Sequence, residues 1–529
     1  MIVVLANREP FQHDYSPDGT IAVRHSTSGL VTAVEPLVRA CSGVWVAHGT
    51  GTADRVVVDR RDGLDVPPAN PSYRLRRVWL DDRELRGYYQ GFANEALWPL
   101  CHRANVRPVF RKNDFTTYRE VNAKFADAVC AELPPPLPRS AGHGGAEFPV
   151  VLVQDYHFAL APRMIRDRVP RSAILSFWHI PWPERRDFEA CPWSRDLLVG
   201  MLGSSVIGFQ TETDCVNFID TVAHLLDAPV DRESNAIWHD GRQTIVRSRP
   251  VSVEWPNRWT RELPPAEVCR KEVNLQLGLT SHAWLAVGVD RMDYTKGLVE
   301  KFLAVERMLE SSPELRERFV LAQLAQPTRG ALPAYRELQA RVRQTAERVN
   351  RRFGTANHRP IVLLEGDHAP VVVHRFLRAA DVCYVGSLHD GMNLVAKEFV
   401  TARDDERGVL VLSRFAGAAR ELTGALVIDP RSTDAAARAL RDAVGMPVEE
   451  QSRRMRDMRA VVARFSTHWW AGQMLNDARR ARYSDRSAWM TSMRDARAAG
   501  ISDARIAAAT RIAAAPATGT APGSRVPGR

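Results

Sequence analysis

Leu388-His389-Asp390-Gly391-Met392-Asn393-Leu394-Val395-Ala396-Lys397-Glu398 is the most informative stretch of this 529-residue chain. An apolar run, Val382–Val385, leads into it, and an amphipathic run, Leu394–Ala402, grows out of it. Strand, Gly-containing turn, helix is the repeating joint of a parallel α/β sheet. The start of such a helix offers unpaired backbone amides to a phosphate. Asp390, in the turn, is placed to hold sugar hydroxyls, and Glu398, about one turn into the helix, to reach ribose hydroxyls. A capped helix with a solvated Glu would fit the same letters. It would not explain so polar a turn between two apolar segments.

The same alternation extends in both directions. Before it, strands are predicted at Trp284–Val289, Phe319–Gln323 and Ile361–Leu364, and after it at Val409–Leu412. Helices are predicted at Gly297–Leu309, Pro333–Phe353, Val371–Ala379 and Asp434–Val444. The first half carries strands at Ile2–Leu5, Val150–Val153, Ala173–Phe177 and Val206–Phe209, and helices at Ala159–Arg168 and Asp214–Leu226. Between the halves, Arg249 to Arg258 holds Pro250 and Pro256 and reads as a linker. A chain this long exceeds one hydrophobic core. The expectation is α/β: two Rossmann-like parallel-sheet domains, residues 1–253 and 254–485, facing across a cleft at the carboxyl ends of both sheets. After about Met490 the composition collapses to Ala, Arg, Gly, Pro, Ser and Thr, and residues 486–529 read as a low-complexity tail that is expected to be disordered.

Charge is the feature most open to misreading. The formal net charge is +10, but only six of the 72 basic residues are Lys, and Thr491 to Arg529 alone holds six Arg against two Asp. With no zinc-finger spacing and no groove-reading basic helix, nucleic acid is not an expected partner; anionic small ligands are. The N-terminal apolar run is too short for a signal peptide, and no stretch approaches a membrane span. The seven scattered Cys form no CxxC pair and read as reduced core thiols of a cytoplasmic protein. No acidic cluster has metal-ligand spacing, so neither a metal nor a resident cofactor is expected. A homo-oligomer is compatible with all of this.

Other candidates lie mostly where strands end. Arg8, in Asn7-Arg8-Glu9-Pro10, follows the first strand, and its planar fork suits a phosphate; a plain surface Arg is the alternative. Gly29-Leu30 begins a helical pattern and can admit a phosphate to the amides, or merely cap the helix. Tyr88, Tyr89 and Trp98 have polar tips suited to sugar faces, although a half-buried aromatic cluster would look the same. Gln154-Asp155-Tyr156-His157 and Trp178-His179-Ile180-Pro181 put polar groups at two strand ends of one domain. Arg291 and Lys296, five apart in Asp290-Arg291-Met292-Asp293-Tyr294-Thr295-Lys296-Gly297, can converge on one diphosphate or stand as solvated cations. Arg329 is a further cation past a strand.

At these residues the chain resembles the trehalose-6-phosphate synthases, the family-20 retaining glycosyltransferases of GT-B fold. The likeness runs in order from Met1 to about Arg480: Asn7-Arg8, Trp45, Tyr88-Tyr89 with Leu97-Trp98-Pro99, Asp155-Tyr156-His157, His179-Ile180-Pro181, Arg291 to Gly297 and Asp390 to Glu398. The resemblance implies that Arg8, Trp45, Tyr89, Trp98, Asp155 and Arg329 hold a glucose 6-phosphate acceptor. It implies that Gly29, Leu30, Arg291, Lys296, His368, Asp390, Gly391, Met392, Asn393, Leu394, Val395 and Glu398 hold a UDP-glucose donor, without metal. It further implies that His179 and Asp390 bind the transferred glucose, and that a last helix near His468–Arg479 crosses back. The chain departs from the family pattern at Ser28-Gly29, His48-Gly49, His368 and His389. Glycerol 3-phosphate as acceptor, ADP- or GDP-glucose as donor, and a silent sugar-phosphate sensor stay open at this point.

Overall fold

The computed structural model describes residues 1–26, 29–103, 106–134 and 149–481. Ser28 and the tail 486–529 lie outside the described residues.

Twelve strands fall in the first half: β1 Ile2–Leu5, β2 Phe11–Tyr15, β3 Ile21–His25, β4 Val44–His48, β5 Gly63–Val66, β6 Tyr73–Val78, β7 Val150–Gln154, β8 Ala173–Phe177, β9 Val206–Phe209, β10 Val230–Asp231, β11 Ala236–His239 and β12 Arg242–Ser248. Ten of them make one sheet in the order β10-β11-β12-β9-β8-β7-β1-β4-β6-β5, and β2 pairs with β3 as a separate hairpin. From β12 to β6 the neighbours are all parallel; the two ends are closed by antiparallel strands. The second half holds β13 Trp284–Arg291, β14 Phe319–Gln326, β15 Ile361–Glu365, β16 Val382–Val385, β17 Val409–Ser413 and β18 Leu426–Ile428, all parallel, in the order β15-β14-β13-β16-β17-β18. Central strands such as Ile2-Val3-Val4-Leu5 are buried on both faces, as a sheet covered by helices on each side requires.

Each sheet has one place where the chain turns from filling one side to filling the other. In the first sheet, β1 leads outward to β4 and β6, whereas β7 starts the march to β8 and β9. In the second, β13 leads to β14 and β15, and β16 starts the march the other way. Loops at such a switch point diverge and leave a crevice past the strand ends. Arg8 and Asp155 follow β1 and β7; Arg291 ends β13, and Asp390 follows β16.

The chain crosses back at its described end. A helix over residues 467–481 packs on the first half: Trp470 meets Phe177 at 5.2 Å, and Arg249 pairs with both oxygens of Asp477 at 2.7 and 2.9 Å. Thr467 N donates to Val253 O at 2.9 Å, so the return lies beside the outgoing linker.

Candidate active site

Local chemistry places each site residue. In the turn after β16, Asn393 adopts a left-handed backbone, φ 69°, which Asn tolerates better than most residues. Its Oδ1 accepts from Ala396 N at 3.3 Å and caps the helix Leu394–Ala402, while its Nδ2 donates to Asp390 Oδ2 at 3.1 Å. Ser387 Oγ donates to the same oxygen at 3.1 Å, and Lys296 Nζ pairs with it at 2.5 Å. Burial would raise the Asp390 pKa, but Lys296 outweighs it and holds the carboxyl below its usual range. Leu388 N donates to Thr295 O at 2.7 Å, locking the Asp390 turn onto the 3₁₀ turn Tyr294–Lys296.

At the other switch point Asp155 has φ 76° and ψ 168°. That region is essentially restricted to Gly, and a non-Gly residue there stores about 1–3 kcal/mol of strain. Its Oδ1 accepts from Tyr156 N at 3.0 Å and His179 N at 3.3 Å. Burial nevertheless pushes the carboxyl up to about 6. Burial also holds His179 down to about 3, and its Nε2 meets Gln154 Oε1 at 2.9 Å.

The aromatic residues stand on a π-helix, Leu85–Leu97, followed by the short helix Trp98–Cys101. Trp98 Nε1 donates across to Asp293 Oδ1 at 3.4 Å. Two guanidinium groups from the second half lie over its ring, Arg329 at 4.2 Å and Arg291 at 5.3 Å. Arg329 Nη1 pairs with Asp293 Oδ2 at 3.2 Å and donates to Tyr335 Oη at 2.5 Å; its Nη2 reaches Tyr156 Oη at 3.4 Å. Tyr89 reports how closely the cations gather. Burial would raise its phenol, yet Arg329, Arg8 and Arg291, in that order, pull it below its ordinary value. Three cations from the two halves therefore act on one phenol. Among the described residues neither Arg8 nor Arg291 has a carboxylate within ion-pair distance.

The two halves touch closely enough to exclude a methyl group. A Cβ on Gly391 would lie 2.3 Å from His179 O, and one on Gly29 would lie 2.7 Å from Leu394 Cδ1. The Gly29-Leu30 helix start thus sits against the Leu394–Ala402 helix start, with Val395 half-buried beside it.

Some expected residues fall elsewhere. Trp45 is fully buried, and its indole donates to Arg8 O at 3.1 Å; it supports the Arg8 loop from beneath instead of lining the cleft. The Met392 side chain is packed into the apolar core, which leaves only its backbone for a ligand. His368 follows the edge strand β15, two strands from β13, with its Nε2 on Leu364 O at 3.0 Å. Glu398 is half-buried with burial raising its carboxyl, opposed only by His374. The residue the sequence reading passed over is Asp293. Fully buried, it also accepts from Thr295 N and Thr295 Oγ1 at 3.1 Å, and Arg329 and Arg291 keep it ionised against the pull of burial. Its only signal was its place between Arg291 and Lys296.

Among the described residues, no cluster of three or more His, Cys, Asp or Glu could hold a metal, and no helix is long and apolar enough to cross a membrane. The profile of glycosyltransferase family 20 matches residues 1–480. A trehalose-6-phosphate synthase of Mycobacterium marinum is 34% identical over 493 residues, covering 91% of this chain and 94% of that protein. An alpha,alpha-trehalose-phosphate synthase (UDP-forming) from Burkholderia xenovorans, solved in complex with glucose-6-phosphate, is similar at 30% identity and a TM-score of 0.77, over 90% of this chain and 100% of that one. The Escherichia coli protein bound with UDP-2-fluoro glucose aligns at 28% identity and a TM-score of 0.77, over 90% and 98%.

Proposed function

The chain belongs to glycosyltransferase family 20, and from that premise we propose that it is a retaining glucosyltransferase that moves glucose from UDP-glucose to glucose 6-phosphate, yielding trehalose 6-phosphate and UDP. The observation that carries this reading is the meeting of Arg291 and Arg329 of the second half over the Trp98 ring of the first, with Arg8 near enough to act with them on Tyr89 and two helix starts alongside. Such a site suits a substrate pair that brings a diphosphate from one side and a phosphate from the other.

Residues 1–253 form the acceptor half in this reading. Arg8, Tyr89, Trp98 and Asp155 hold glucose 6-phosphate, and Arg329 reaches in from the other half. Residues 254–485 form the donor half. Arg291, Lys296 and the amides of Leu394 to Glu398 hold the diphosphate and ribose, Gly29 and Leu30 close on it from the first half, and His368 lies toward the base. The transferred glucose sits between His179 and Asp390. The contacts of Asp390 with Lys296, Ser387 and Asn393 all fall on Oδ2, which leaves Oδ1 for a sugar hydroxyl.

As the bond from C1 to the diphosphate breaks, charge grows on the leaving oxygen, and Arg291, Lys296 and the helix amides meet it. The acceptor hydroxyl attacks C1 from the face the diphosphate leaves, and a phosphate oxygen takes its proton. That route keeps the anomeric configuration without a carboxylate nucleophile and without a metal. Closure of the halves aligns the hydroxyl and excludes water. Seven free thiols support a reducing cytoplasmic setting.

A donor and acceptor screen with product identification tests the proposal. The expected result is trehalose 6-phosphate and UDP from UDP-glucose and glucose 6-phosphate. Preferential turnover of ADP- or GDP-glucose, or of glycerol 3-phosphate, would reassign that substrate, and binding without turnover would make the chain a sensor.

A further inference from the structure

Behind Arg8 lies a second ionic cluster that the transfer itself does not touch. Arg77, on β6, is fully buried. Its Nε donates to Glu9 Oε2 at 2.9 Å, and its Nη2 pairs with Asp54 Oδ1 at 2.7 Å. It also donates to Asp54 O and Phe11 O at 3.0 Å and to His13 Nδ1 at 2.9 Å. Glu9 and Asp54 are 5% and 0% exposed, and both carboxyls bond the same guanidinium. Thr50 N and Oγ1 donate to Glu9 Oε1 at 2.8 and 2.9 Å.

The Arg8 side chain is exposed, and no side chain among the described residues within bonding distance steers it. An unrestrained Arg loses considerable rotamer freedom when it grips a phosphate. The backbone that carries it, however, is gripped on both sides: Trp45 holds the Arg8 carbonyl, and the next side chain, Glu9, is bound into the cluster. An apolar cluster would hold the fold as well. It would not fix a direction.

We propose that Glu9, Asp54 and Arg77 are positioning residues for the acceptor: together they fix the main chain at Arg8 so that its guanidinium enters the cleft already aimed at the acceptor phosphate. This rests on the reading of Arg8 as the phosphate ligand.

The cluster holds two carboxyls and one guanidinium, so its charge turns on a single proton. Burial pushes Glu9 up to about 7, helped by Asp54 and opposed by Arg77. Asp54 lies at about 2: burial would raise it, but His13, Glu9 and Arg77 outweigh that. The facing groups are Arg77 from β6, His13 from β2, Thr50 and Asp54 from the loop after β4, and His48 at the end of β4, whose pKa burial lowers. With Glu9 protonated, the charges of Glu9, Asp54 and Arg77 cancel; as pH rises through about 7, Glu9 ionises and adds a negative charge beside Arg8, opposing an incoming phosphate.

Steady-state kinetics of the full chain at pH 6 and pH 8 test this. Arg8→Ala, measured first, must raise the acceptor KM; if it does not, the acceptor reading fails, whatever Glu9 does. Glu9→Gln keeps the shape and the neutral charge of the protonated acid, and its amide oxygen can still accept from Thr50. Its acceptor KM is expected to match the parent at pH 6 and to fall about two- to fourfold below the parent at pH 8, the size of one screened charge at this range. Its donor KM is expected to be unchanged at both. Glu9→Ala is expected to raise the acceptor KM about tenfold at either pH, since slight misplacement of a positioning group is costly. The proposal is overturned if the parent-to-Gln ratio of acceptor KM is the same at pH 6 and pH 8, or if the variants move donor and acceptor KM alike. Should Glu9→Ala not fold, the Glu9→Gln ratio decides alone.

Discussion

The two switch points bury their titratable groups to a similar degree and treat them in opposite ways. Around β1 and β7 burial prevails: Asp155 is pushed up to about 6, His179 down to about 3, and His157 falls well below its usual range, burial first and then Arg329 and Arg8. Around β13 and β16 the partners prevail: Asp293 and Asp390 stay ionised because Arg329 and Lys296 face them. The first wall of the cleft is apolar and aromatic, with Arg8 as an added cation. The second is built from ion pairs. Depth alone therefore predicts little about charge; the nearest countercharge decides.

The most demanding test of that contrast is a pair of isosteric changes. Asp293 has a folded pKa below its unfolded value, so its contribution to stability is present above about pH 4 and is lost as pH falls through the folded value. Asp293→Asn strips a buried cation of its partner and should destabilise the protein at pH 7 by about 3–5 kcal/mol. Asp155 is the reverse: its contribution is complete below about pH 4 and is lost as pH rises through about 6. Asp155→Asn should therefore gain about 3 kcal/mol on the parent between pH 4 and pH 8. Denaturant unfolding at both pH values measures the two effects, and shifts of the same sign would abolish the distinction between the walls.

Catalysis should fall on the ionic wall. Arg291→Ala and Lys296→Ala should each lower turnover by about 10²–10³, the size of losing a donor aimed at developing charge. Near-parent turnover of either at saturating substrate would remove it from the leaving-group role. Arg8→Ala should weaken glucose 6-phosphate binding by about 2–3 kcal/mol and leave UDP nearly unchanged. Calorimetry of UDP with competition by glucose 6-phosphate reads both, and an equal loss of UDP would reverse the assignment of the halves. The smallest effect expected is none: saturating chelator should leave the rate where it was, and a loss restored by a divalent cation would show that the cations of the second wall do not suffice.

Parallel strands were legible because they are buried on both faces and read as unbroken apolar runs; Ala173–Phe177, Val206–Phe209 and Val382–Val385 fall where the pattern puts them. β6, Tyr-Arg-Leu-Arg-Arg-Val, hides its strand among arginines, one of them the buried Arg77. The hairpin β2–β3 exposes most of its outer strand and carries little apolar signal. The π-helix with Tyr88 and Tyr89 repeats at a period that a 3.6-residue template does not match, and Gly87, Gly91 and Pro99 blur it further. The cations of the site were legible as strand-end residues. Their partners were not, because Asp293 meets Trp98 and Arg329, and Glu9 meets Arg77, only once distant segments pack.

The return of the chain end has a mechanical consequence. Polypeptide passes between the sheets twice, at the 249–257 linker and at residues 465–466, and the Thr467 to Val253 bond lays the two passes side by side. Lys397, from the helix that starts at Asn393, fastens to Val251 O at 2.9 Å at the same spot and pairs with Glu421 at 2.7 Å. The two sheets are bound there like the covers of a book, with a doubled spine that resists shear and twist and leaves opening as the soft motion. Across the cleft Arg329 meets Tyr156 and His389 Nδ1 meets His102 O, contacts that such an opening would have to break.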